Sequence, residues 1–473
     1  MNKRLLIPLL ALLLLLTCGC STDMTGASYS EIEAYRAEHP NTTVTYTVTI
    51  DETLSLTNES TAAVLTDTKQ IAPLMAQAEY LQHLEAIDMT ALVVSAKDMN
   101  AVEAAFPNAD IGCKAISFLG KEYPMDATTV DLSDLTTDQI PDAAEGLNAL
   151  NWVRTVDLCK EDGTCTVTLD DAAALHALCS NVKYNFAISL YGQTLTTDME
   201  RVEYWRAGIK DEGLENFRKL IPLMYNLTYL KLDWCGTSDE AMAQLRDDFP
   251  AVKIVWRVFF HEYNCLTDTL KIWANWTVND MNNHVLQYCT DVKYLDLGHT
   301  MITHCEWARN MPDLEVVIMG DCNLTSIEPL RECPKITYLE IFSSRVTDLS
   351  PLEDLHNLQY LNISNLRIDD ISPMYGLDKL IKVNSLMNNI PQEQVDEFRR
   401  LQPQCVGTFL DHGNPTGYDW RYDNWGHILP RYALLRQQFG YSAVDYSQYP
   451  TGYVTEPITY ESTGITPPEA ELK

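Results

Sequence analysis

VKYLDLGHTMITHCEWARNMPD (292–313) runs without a gap into LEVVIMGDCNLTSIEPLRECPK (314–335), ITYLEIFSSRVTDLSPLEDLHN (336–357) and LQYLNISNLRIDDISPMYGLDK (358–379). A partial fifth copy starts at Leu380, so the starts lie 22 residues apart throughout. The fourth position of the copies holds Leu295, Val317, Leu339, Leu361 and Val383. The sixth holds Leu297, Met319, Ile341, Ile363 and then Ser385, and the eleventh Ile302, Leu324, Val346, Ile368 and Ile390. Apolar columns recur while the residues between them vary. Alternation at the head of each copy predicts one short strand pointing every second side chain inward. No single copy can bury that face alone, so stacked copies must share one core.

These residues resemble the leucine-rich-repeat family, in particular the 22-residue class of internalin-like bacterial surface proteins. Leu349-Ser350-Pro351-Leu352 and Ile371-Ser372-Pro373-Met374 are similar to that class's return segment. The family's turn asparagine is replaced by Thr300, Cys322, Ser344 and Leu366, and only Asn388 retains it, so a different turn is expected at Leu366. The resemblance implies an α/β leucine-rich-repeat solenoid with a parallel β-sheet on its concave face. Several cysteines fall on its core columns: Cys289 and Cys333 with Met311, Leu355 and Leu377, and Cys305 with Ile327, Leu349 and Ile371.

Upstream, the strand motif returns at Leu84, Val153 and Leu227, spacings of 69, 74 and 65 residues counted through to Val292. A helical stretch switching to an alternating strand recurs at His39-Pro40, Phe106-Pro107 and Phe249-Pro250, and without the proline at Asn181. Proline drives that switch because it disfavours helical geometry in the residue before it. Residues 31–275 thus read as long, irregular units of about 70 residues, residues 276–402 as regular repeats, and residues 403–473 as a C-terminal cap with a disordered end from Thr455. A separate α/β domain ahead of a short solenoid is the rival reading. Pro430 opening and Gly440 closing a stretch with Leu434, Leu435 and Phe439 predict a short helix within the cap.

At the N-terminus, Lys3 and Arg4 precede an apolar run from Leu5 to Leu16 that is too short to span a bilayer, which takes roughly 20 residues. Leu16-Thr17-Cys18-Gly19-Cys20-Ser21 resembles the lipobox of bacterial lipoproteins, with Thr17 where that pattern prefers leucine. The resemblance implies a signal peptide over 1–19, lipid attachment at Cys20, a polar tether over 20–30 and display on the outer face of the membrane; plain secretion is the alternative. A formal charge of −32, from 34 basic and 66 acidic side chains, disfavours nucleic-acid binding. Of 13 cysteines, Cys18 and Cys20 belong to the export region, and the remaining 11 cannot all pair within one molecule. Cys159 and Cys165 bracket a five-residue loop that invites a local disulfide.

On the predicted strands, the residues between the inward columns face outward: Tyr229 and Lys231, Tyr294 and Asp296, Val316 and Ile318, Tyr338 and Glu340, Tyr360 and Asn362. Tyrosine recurs in one column and polar or acidic groups in the next. Such a ladder suits recognition, and it equally suits tyrosines stacking on one another. Trp234, His299 and Phe342 lie just past the strands, where they either extend the same surface or serve as turn residues. Phosphate loops, zinc helices, nucleophile elbows and EF-hand spacing are missing from the sequence. His299, His304, Cys305 and Cys322 cluster, but Cys305 and Cys322 sit on packing columns. The expectation is a binding protein without cofactor or metal that recognises a protein or glycan at the cell surface. An enzyme or glycan-processing module in the N-terminal units, or a structural envelope protein, are the alternatives.

Overall fold

The computed structural model describes residues 21–423 and 425–441, so the expected signal peptide, the expected lipid-attachment residue Cys20 and the residues from Ser442 onward lie outside the described residues. The chain divides into two compact units, one of residues 1–199 with 216–226 and one of residues 200–215 with 227–473. No helix among the described residues is long and apolar enough to cross a membrane.

In the first unit, short parallel strands alternate with helices. Ala62–Val64, Ala86–Ser95 and Asp110–Phe118 pair in parallel, as do Thr129–Asp131, Thr155–Asp157 and Lys183–Asn185. Helices such as Ala96–Ala105, Ile140–Asn148 and Leu169–Leu178 make the crossovers. Ser95 and Thr168 cap two of them, each accepting a backbone N–H. Each strand group ends in an antiparallel hairpin, for example Asp110–Phe118 with Lys121–Tyr123 and Ala187–Leu190 with Gln193–Thr196. A long unit thus holds three parallel strands, where the spacing predicted one repeat-type strand and one alternating strand. The strands at Ala62 and Thr129 carry only three residues each, too few to stand out by period. Ser21–Asp23 also departs from the expected tether: it pairs in parallel with Thr43–Thr45, and the Ser28 capping box starts the helix Tyr29–Glu38.

The second unit holds a four-stranded sheet and a seven-stranded sheet. In the first, Arg201–Trp205, Tyr229–Asp233 and Lys253–Phe260 run parallel, and Tyr263–Leu266 closes a hairpin. The second is wholly parallel: Lys271–Trp273, Tyr294–Asp296, Val316–Ile318, Tyr338–Glu340, Tyr360–Asn362, Lys382–Leu386 and Val406–Leu410. Its register aligns Leu295, Val317, Leu339, Leu361 and Val383 as direct neighbours, and all five are fully buried. The sixth and eleventh columns through Ile363 and Ile368 are buried beside them, together with Cys289, Cys305, Cys322 and Cys333. Short 3₁₀ turns such as Glu328–Glu332 and Ser350–Asp354 return the chain, each with proline in its first turn. This is an α/β leucine-rich-repeat solenoid.

Turns after the strands are held by hydrogen bonds between coils. His299, Asp321, Ser343, Asn365 and Met387 donate their N–H to Gly320, Phe342, Ser364, Leu386 and Leu410 carbonyls. All five are left-handed, as are Arg206, Trp234 and Trp276 at the equivalent position of other coils. Asn388 works as the resemblance implies, accepting from the Leu366 and Arg367 N–H groups and donating to the Ile363 carbonyl. The turn at Leu366 differs as expected: Leu366 is buried and Arg367 adds a second left-handed residue.

Val406–Leu410 forms the last strand, so the C-terminal region begins inside the sheet. Residues 415–441 do not cap the sheet's end. They lie across its outer face, where a β-bridge between Tyr422 and Ile428 leads into the helix Pro430–Phe439, stopped by left-handed Gly440.

Candidate functional site

The outer columns of the seven-stranded sheet are where recognition was expected, and residues 415–441 of the same chain cover them. Tyr294, Asp296, Tyr338, Glu340, Tyr360 and Asn362 are all buried, each no more than 5% exposed. Tyr294, Val316, Ile318, Tyr338 and Tyr360 form one apolar cluster with Trp420, Tyr432, Leu434, Leu435 and Phe439. An open ladder is therefore corrected to a covered one. The physical reason is the apolar content of the face itself, since a patch of that kind is costly to leave in water.

Polar residues of the ladder fasten the cover. Glu340 accepts hydrogen bonds from Trp420 Nε1 at 2.7 Å and Arg421 Nε at 3.1 Å, and also from Arg421 Nη2 and the Tyr338 hydroxyl. Asn362 and Asn384 donate to the Pro415 and Gly417 carbonyls at 2.9 and 3.2 Å. Tyr441 donates to Asp296, whose other carboxylate oxygen accepts the Gly298 N–H at 2.8 Å. Burial pushes the Asp296 carboxyl up to about 6. Arg431 stacks over the Tyr360 ring at 4.3 Å, and Trp420 packs on Tyr338 at 5.4 Å between centroids. Phe342, read as an extension of an open surface, is buried with Arg421 5.5 Å from its ring.

Tyr229 and Lys231, on the four-stranded sheet, are half-buried. Tyr229 donates to Asp268 at 3.0 Å and carries Arg201 over its ring, and Lys231 pairs with Glu203 at 2.5 Å. Beside them lies a group that sequence reasoning found only in part. Trp205, Trp234 and Phe259 are 64%, 45% and 43% exposed. Trp234 and Phe259 meet edge to face at 4.9 Å. Arg206 lies over Trp205 at 4.6 Å and near Trp234 at 5.7 Å. Arg257 approaches Trp234 while Asp233 grips it with both carboxylate oxygens, at 2.7 and 3.0 Å. The signal that would have completed the group is alignment: Arg206 and Trp234 occupy the left-handed position that His299 fills further on.

Cys159 and Cys165 are joined in a disulfide. His299 stacks on Trp276 at 4.9 Å and hydrogen-bonds Asp321 at 2.9 Å, while Cys322 is buried against Thr300 and the Leu297 carbonyl. Among the described residues, no three histidine, cysteine or acidic side chains gather as a metal site would require.

No protein-family model matches the chain, and no curated protein matches it. Solved structures that are similar include an internalin C2 from Listeria monocytogenes, at 16% identity over 48% of this chain and 82% of that one, with a TM-score of 0.25. An internalin of the same organism aligns over 74% of this chain and 78% of its own length, at 15% identity and a TM-score of 0.26. A leucine-rich-repeat protein of Leptospira interrogans aligns over 82% and 90%, at 13% identity and a TM-score of 0.29. The fold rests on the strand register described above.

Proposed function

We propose that the chain is an exported, internalin-like recognition protein, held by lipid on Cys20 at the outer face of a bacterial membrane, that binds a protein or glycan and catalyses nothing. The observation that carries this reading is the exposed aromatic group on the four-stranded sheet. Large aromatic rings and arginines dominate the energetics of recognition surfaces, and here Arg206 packs on Trp205 and Trp234, Arg257 on Trp234, and Trp234 on Phe259 before any partner arrives. Such pre-ordering lowers the entropic cost of binding. Tyr229 and Lys231 extend the group on the same sheet. The ladder from Tyr294 to Asn362 serves the partner only in a state with residues 415–441 lifted away.

A protein and glycan array probed with the mature chain tests the surface. The double substitution Trp205→Ala with Trp234→Ala is expected to weaken the array's best partner at least about tenfold, each hot-spot ring being worth roughly 1–2 kcal/mol or more. Undiminished binding at an unchanged unfolding temperature would reject it. For the anchor, Cys20→Ser is expected to move the protein from the membrane fraction to the soluble one, with mass spectrometry showing loss of the acylated N-terminus. A wild-type mature N-terminus without lipid would remove the anchor from the reading.

A further inference from the structure

Where residues 415–423 and 425–441 cross the seven-stranded sheet they leave space over its first three strands. A cavity of about 290 Å³ remains, lined on the sheet side by Trp273, Asn275 and Asp296 and on the other by Tyr432, Arg436 and Tyr441. Its size lies at the small end of the roughly 300–1,000 Å³ usual for small-molecule sites, room for one ring-sized ligand and not for an extended chain. Trp273 is 43% exposed and meets Tyr441 at 4.4 Å between centroids, which puts an aromatic wall at the cavity's edge.

The polar groups restrict the occupant further. Asp296 presents a carboxylate acceptor, and Arg436 together with Arg421, which also borders the cavity, presents guanidinium donors. Such a lining suits a ligand that offers both donors and acceptors. Asn275 lines the same cavity and adds a side-chain amide to the polar groups around it. Planar carboxylate, amide and guanidinium groups match pairs of adjacent hydroxyls, and an aromatic face matches the apolar C–H face of a sugar ring.

We propose that this cavity, closed by the chain's own C-terminal segment, is a binding site for a single neutral pyranose ring, with Trp273 under the ring and Asn275 and Asp296 on its hydroxyls. It is separate from the Trp205–Trp234 surface and goes beyond the function proposed for that surface.

Saturation-transfer NMR on the full mature protein tests it, with glucose, galactose, mannose and N-acetylglucosamine at millimolar concentration. Acetate and phosphate form the anion arm and methylammonium the cation arm. At least one pyranose is expected to bind, and Trp273→Ala and Asn275→Ala are each expected to weaken it about tenfold. Neither change removes a fully buried side chain, and the unfolding temperature of each verifies folding. Oligosaccharides ending in the same sugar separate the two sources of the ring: binding of the free sugar or of the chain end both sustain the site. Absence of pyranose binding, preference for either ion, or sugar binding intact in both variants would overturn it. Sugar binding lost in Trp205→Ala with Trp234→Ala but intact in Trp273→Ala would assign the sugar to the exposed surface and overturn the cavity, so the two readings fail separately.

Discussion

Replacing Glu340 with alanine is expected to free residues 415–441 from the sheet while the seven strands stay folded. Glu340 is fully buried, and four donors from Tyr338, Trp420 and Arg421 converge on it. Removing one partner of a buried ion pair costs about 3–5 kcal/mol, because the other is left as an uncompensated charge. Arg421 avoids that cost by returning to water, and it takes Trp420 with it. Limited proteolysis should then cut between Asp411 and Tyr441 at least about a hundredfold faster, following the population of the open form. Glu340→Gln keeps the shape and an acceptor for Trp420 but loses the charge, so it should fall between the two. Equal protease resistance in wild type and Glu340→Ala would show that the aromatic cluster alone holds the segment.

Leu339→Ala should act on the fold itself. Leu339 is fully buried in the central strand, in register with Val317 and Leu361. Leucine-to-alanine changes in such positions cost about 2–5 kcal/mol, part lost transfer energy and part residual cavity. In a stacked architecture each coil is stabilised by its neighbours, so the defect should lower the denaturation midpoint of the whole regular-repeat region. Met301→Ala, at an exposed side chain in the same region, is the control, with an expected change within roughly 0.5 kcal/mol. Similar denaturation curves for the two variants would contradict the shared core.

The inward columns were legible because they depend on a short-range rule: the period of the apolar residues fixes strand, register and burial together. Leu295, Val317, Leu339 and Leu361 are aligned and dry as that rule requires. The fate of the outer columns was not read, although one clue stood in the sequence. Glu315 is followed by Val316-Val317-Ile318-Met319, and an unbroken apolar run in a parallel strand signals cover on both faces. What supplies that cover lies about 100 residues downstream, in a segment without period of its own. No local rule links Arg421 to Glu340. The extra strands of the long units were hidden for a related reason, since three-residue strands between helices carry too little alternation to be seen. The exposed aromatic group was half visible: Trp234 stood out beside its strand, but its coupling to Arg206 and Arg257 exists only once three strands are side by side.

The buried thiols give the chain a chemical temperament suited to an oxidising milieu. Among the described residues, eight free cysteines are buried and Cys405 is half-buried. Desolvation holds Cys113 at about 11 and Cys333 and Cys405 at about 12. Attack on a disulfide requires the thiolate, so at neutral pH these sulfurs are nearly inert toward Cys159–Cys165 and toward other molecules. For these three thiols, scrambled cross-linking, ordinarily the hazard of unpaired sulfur outside the cell, is thereby held off by packing alone.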